Sequence, residues 1–165
     1  MWAKIEKRIY KIQEAFIAIA LLIIMLAVIL QIVGRLAGWH SLGMPEYAAI
    51  GMTVITFIGA SAITYTRDYI AIELNQMIKS RKVQLIFHLI VDVIIIVFAV
   101  LFINISWTFL QFVVASGEKT LEVEIPLSIP YGLIVLGILL MLIHSVSNVI
   151  KDIVQLRALN KGREA

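Results

Sequence analysis

The sequence predicts an all-α integral membrane protein. It would form a single four-helix domain over residues 1–165, with both termini cytoplasmic and amphipathic interfacial helical segments on that side. Three observations carry this. Four apolar stretches, about 15–33, 46–66, 83–115 and 128–150, fill most of the chain. Hydrophobic residues make up 61% of it and charged ones 15%, against about 25% charged in soluble domains, so a water-soluble globule is excluded. Basic residues also gather in alternate loops. Lys4, Lys7, Arg8 and Lys11 precede the first stretch. Arg67, Lys79, Arg81 and Lys82 separate the second from the third. Lys151, Arg157, Lys161 and Arg163 follow the fourth. The other two loops hold only Arg35 and Lys119. Cytoplasmic loops retain the excess of basic residues, which places both termini inside.

A span of about 20 apolar residues crosses a hydrocarbon core about 30 Å thick. Inside lipid it must be helical, because a helix satisfies its own backbone N–H and C=O groups. The first stretch is longer than the 7–15 apolar residues typical of a signal peptide, and Gly34-Arg35-Leu36 follows it, so it reads as an uncleaved span. Before it, Trp2, Ile5, Ile9, Ile12 and Phe16 recur at helical spacing with basic residues opposite. This is an interfacial helix or a basic extension of span one. Glycines 38 and 43 and Pro45 make the next loop turn-rich. Pro45 suits the first turn of span two, and Glu46 complements its positive end or pairs with a cation of a partner.

Span two carries Ala48, Gly51, Ile55 and Gly59, a face suited to close helix packing in lipid. Residues 67–78 are amphipathic and read as a short in-plane helix. Span three, over 83–115, would be roughly 50 Å long, so it must tilt or project from the bilayer. Span four starts after Pro126 and Pro130, and the tail after 155 is expected to fray. Aromatic residues near the span ends read as interfacial belts. The chain has no cysteine, which removes disulfides, thiolate nucleophiles and cysteine-based metal sites.

Charges at membrane depth mark functional or structural polar sites. His88 and Asp92 lie one turn apart on span three, and His144 and Asn148 one turn apart on span four. An interhelical polar cluster of these four is expected. It could lock the two spans together, meet a partner, or carry a proton or a haem between the histidines. Gln31, Asn104 and Gln111 are isolated amides expected to hydrogen-bond to neighbouring helices. No catalytic, substrate-binding or metal-ligating pattern is present in the sequence.

The run Pro45-Glu46-Tyr47 through Phe57-Ile58-Gly59-Ala60-Ser61-Ala62 to Arg67-Asp68-Tyr69-Ile70, together with Ile129-Pro130-Tyr131 and Gly137-Ile138-Leu139-Leu140-Met141, resembles the small (DctQ type) membrane subunit of tripartite ATP-independent periplasmic (TRAP) transporters. Tyr69 and Glu73 stand where that family commonly has His and Asp. The resemblance implies a scaffold without catalysis in a bacterial inner membrane. It implies a large multi-span partner that carries the substrate and sodium sites and moves as an elevator. It also implies a periplasmic solute-binding protein that delivers an organic acid such as sialic acid or a C4-dicarboxylate. No cofactor is expected in this chain. Glu46, Gly59 and Arg67 are its candidate partner-interface or scaffold positions. Two other readings remain open at this point. A self-sufficient four-helix exporter would need a carboxylate deep in span one, where none lies. A haem-binding redox subunit would use the two histidines.

Overall fold

In the computed structural model, residues 2–38, 43–69 and 80–161 are described. They form four long helices: α1 (Trp2–Leu36), α2 (Met44–Thr66), α3 (Arg81–Ser116) and α4 (Ser128–Lys161). Each is long and apolar enough to cross a membrane. The basic segment before span one is continuous with it, since no Gly or Pro interrupts the run. Of the tail expected to fray, 155–161 continue α4 as helix, and 162–165 lie outside the described residues. α3, with 36 residues, is about 54 Å long at 1.5 Å per residue. The anticipated in-plane helix over 67–78 falls mostly outside the described residues; Arg67 to Tyr69 are not helical.

The helices stand in a row. α1 packs on α2, α2 on α4, and α4 on α3. The two inner helices are therefore covered from both sides. In the most apolar stretch of each helix, 44% of α4 and 28% of α2 is buried, but only 11% of α1 and of α3. Each outer helix touches the row along one narrow seam. On α1 the buried positions are Glu6, Gln13, Ala20, Ala27 and Gly34; on α3 they are Leu85, Asp92, Ala99, Ser106 and Val113. Both sets step by seven residues. A seven-residue period keeps a straight seam only if the helices wrap left-handedly, crossing at about +20°. Small residues in these seams let the backbones approach, which matters in lipid, where helix association relies on packing and hydrogen bonds.

Ala20, Val54 and Ile58 form the core where α1 meets α2, with Leu133 of α4 against it. Ala99, Ile138 and Met141 form the second core, joined by Phe57 and Phe102. Two glycines allow the closest approaches. A Cβ on Gly51 would lie 2.7 Å from Ile24, and one on Gly137 would lie 2.7 Å from the backbone of Phe57. Gly59 is different: a Cβ there would meet nothing within 4 Å. The expectation that Gly51 and Gly59 share one packing face within this chain is corrected. Steps of four residues rotate by about 40° beyond a full turn, so the row from Gly51 through Ile55 leaves the seam by Gly59. The seven-residue step from Gly51 reaches buried Ile58 instead.

Gly137→Leu would force a side chain into the Phe57 backbone. It should destabilise the detergent-solubilised chain by about 1–3 kcal/mol or more, read as a lower thermal midpoint. Gly59→Leu should leave that midpoint nearly unchanged.

Candidate functional site

All the buried charges described lie at the end of the row where the chain starts and finishes. Their hub is Arg67. α2 stops at Thr66, and Arg67 takes a left-handed conformation (φ 61°, ψ 24°) while its N–H bonds to the Ile63 carbonyl at 2.8 Å. Such a C-terminal cap satisfies one of the last orphan carbonyls of the helix. It also sends the guanidinium across toward α3 and α4. There Nη1 donates to Asp152 Oδ1 at 3.0 Å and Nη2 to Asp152 Oδ2 at 2.8 Å. Nη2 also donates to Asp92 Oδ2 at 2.8 Å. His88 Nδ1 lies 3.2 Å from Nη1, and must be the acceptor because a guanidinium only donates. Asp92 and Asp152 are almost fully buried. One arginine thus joins α2, α3 and α4.

A second tie holds the foot of α1 against α4. Glu6, buried to 2% exposure, accepts from Lys151 Nζ at 2.7 Å and lies 3.5 Å from His144 Nδ1. One turn earlier, Trp2 Nε1 donates to Ser147 Oγ at 3.1 Å. Asn148 donates to the Thr64 carbonyl at 2.8 Å, filling another orphan at the end of α2. Gln13 donates to Ser61 Oγ at 2.9 Å, and Tyr65 stacks on Tyr10 while its ring also meets His144. Tyr69, just beyond α2, is half-buried, and burial pushes its phenol up to about 12.

The opposite end has its own clasp. Glu46, in the first turn of α2, accepts the N–H of Glu122 at 2.9 Å and of Val123 at 3.0 Å in the α3–α4 loop. Glu122 answers by accepting the N–H of Gly43. Gly43 has φ 74°, and a Cβ there would collide with the Val123 side chain, so both its backbone angle and its space call for glycine.

The expected cluster of His88, Asp92, His144 and Asn148 is corrected into two groups. His88 and Asp92 face Arg67, whereas His144 and Asn148 face α1 and α2. On α4, His144 lies eight residues before Asp152, about 80° round the helix, so it faces Glu6 of α1 and not the Arg67 hub. The histidines therefore do not converge, as a bis-histidine haem would need. Glu46 bonds to backbone N–H groups of this chain's own loop. Of the isolated amides, Asn104 donates to Val100 of its own helix at 2.8 Å and Gln111 is exposed, so neither reaches a neighbouring helix among the described residues. Sequence reasoning missed Glu6, Lys151 and Asp152. A signal existed for two of them. Glu6 begins the seven-residue series of α1, and Asp152 lies one turn beyond Asn148.

Removing Arg67 would leave two buried carboxylates without their cation. Arg67→Ala should cost about 3–5 kcal/mol in a denaturant titration, and the additional change Asp92→Asn should recover part of that loss. Glu46→Gln should loosen the far clasp, measured as faster amide hydrogen exchange at Glu122 and Val123 with little change near Arg67.

The family model described as the DctQ component of tripartite ATP-independent periplasmic transporters matches residues 11–155. No curated protein matches the chain.

Proposed function

The chain belongs to the DctQ family, and we propose that it serves as the static scaffold of its transporter. As a DctQ component it is a small membrane subunit of a TRAP transporter and not an enzyme. In the proposed role it binds a large multi-span subunit in the bacterial inner membrane. That partner carries out sodium-coupled uptake of an organic acid, for which sialic acid and C4-dicarboxylates are the candidates. A periplasmic solute-binding protein delivers the acid. Both termini and the Arg67 hub face the cytoplasm, following the distribution of basic residues.

One observation carries the scaffold reading. The described buried charges are committed to ties between helices: Arg67 to Asp92 and Asp152, and Glu6 to Lys151. Groups held by two or three partners at hydrogen-bonding distance brace a structure. An ion-carrying group must instead exchange partners during a cycle. The row arrangement supports the same reading. It leaves both outer helices bare along most of their length, as suits a part that widens a larger assembly.

Reconstitution tests this. The chain alone in liposomes should take up no organic acid under a sodium gradient. Coexpressed with the large subunit and supplied with the binding protein, it should support uptake. Arg67→Ala should lower that uptake in proportion to lost complex. Sodium-driven accumulation by the chain alone would overturn the proposal.

A further inference from the structure

The outer face of α3 carries polar groups where lipid would be their only neighbour. Asn104, Thr108 and Gln111 follow each other at steps of four and three residues, and all three are exposed. They lie roughly opposite the seam of Ala99, Ser106 and Val113 that holds α3 to α4. Thr108 donates to the Asn104 carbonyl at 2.9 Å, and Asn104 uses one N–H on the Val100 carbonyl at 2.8 Å. The remaining N–H and the Oδ1 of Asn104 have no partner among the described residues, and neither does any part of the Gln111 amide.

Depth makes this costly for Asn104, while Gln111, seven residues nearer the end of α3, lies about 6 Å inside. Phe102 of α3 meets Phe57 of α2 at a ring separation of 6.1 Å. Phe57 lies 13 residues into α2 from Met44, about 20 Å from that end of the row. Asn104 is two residues nearer the same end, which still leaves it about 16 Å inside. Hydrocarbon offers no hydrogen bonds at that depth. The exposed side of α1 offers a contrast. Ile19, Leu22, Met25, Leu26 and Ile29 give it an aliphatic surface that lipid covers without penalty.

We infer that the ridge of Asn104, Thr108 and Gln111 is where a transmembrane helix of the large subunit docks. This rests on the scaffold reading above, and it names the surface through which the scaffold acts. The required partner chemistry is electrostatic complementarity at short range. A facing helix must bring amide, hydroxyl or similar side chains to the open donors and acceptors of Asn104 and Gln111. It must also be slim enough there for the backbones to approach.

The test uses the assembled complex in native membranes. A photoreactive benzophenone amino acid replaces Val97 or Leu101, exposed residues beside the ridge that leave its polar groups intact. Illumination should join this chain to the large subunit, identified by mass spectrometry. In parallel, the double variant Asn104→Leu, Gln111→Leu should reduce recovered complex about tenfold, from two interhelical hydrogen-bonding sites. The unfolding midpoint of the isolated chain should stay unchanged, which a role confined to its own fold would shift. Adducts only with lipid or with a second copy of the chain overturn the inference, as does full recovery of complex by the double variant. If the unmodified chain captures no large subunit, the scaffold reading itself fails. If capture succeeds without adducts at 97 or 101, only this surface is wrong.

Discussion

A single guanidinium fixes where α2, α3 and α4 stand relative to one another. Lipid tails are as apolar as leucine, so burying aliphatic side chains between spans gives little net drive toward one register over another. Arg67 supplies what the aliphatic surfaces lack. Its planar fork fits Asp152 bidentately while the same Nη2 reaches Asp92, and a slide of one helix by a turn would strand a buried carboxylate. The desolvation of three charges offsets much of their attraction. The contribution of the hub is therefore to specificity more than to net stability, while removal of one member is costly because the others remain buried. The left-handed backbone at residue 67 belongs to the same device. It ends α2 and aims the side chain sideways in one step.

The second consequence is the shape of the domain. A four-helix bundle closed on itself would cover each helix from two sides. Here the seven-residue seams of α1 and α3 are narrow, so each outer helix packs along its length on one neighbour and the row stays open. Each meets a second helix only locally, α1 on α4 through Trp2 and Glu6 and α3 on α2 through Phe102 and Asp92. Polar ties at both ends then compensate for modest apolar contact. Glu6 and Trp2 pin the foot of α1 to α4, across from the α2 contact that its upper turns make. Glu46 and Glu122 bind α2 to the loop before α4 at the far end. α2 and α4 run parallel, with no short loop to join them, and they receive fastenings at both ends. That pair is the spine of the domain.

The architecture was legible in the sequence because hydropathy and length act locally. Twenty apolar residues declare a span regardless of its neighbours. The polar site was legible only in part. His88, Asp92, His144 and Asn148 could be picked out as polar residues within apolar runs. Their partners could not be assigned, because one residue of displacement turns a side chain by about 100° and sends it to another helix. Arg67 stood among loop cations, and only its left-handed backbone turned it inward. Glu6 and Asp152 lie outside the apolar stretches, yet both are buried because α1 and α4 continue past those stretches. Gly59 leaves the packing seam within this chain for a geometric reason: counting by fours drifts off a seam that runs by sevens.

The described charges buried in this chain are paired within it, whereas two amides on the outer face of α3 are left open. At the hub, each carboxylate has a cation and Arg67 has several acceptors. At the far clasp, each glutamate meets backbone amides that would otherwise be orphaned. The charges of these regions are paired within the chain, although Gln13 Oε1, His144 Nε2 and Ser145 Oγ are buried there without a hydrogen-bond partner among the described residues. The outer face of α3 does not meet that standard, since Asn104 and Gln111 keep open donors and acceptors at or near membrane depth. A chain that pairs its buried charges at one end and ties its glutamates at the other, yet leaves a ridge of amides open along the outer part of α3, is finished as a brace and unfinished as a surface. What completes this face must approach from the side of α3, because the described buried charges already have their partners within the chain.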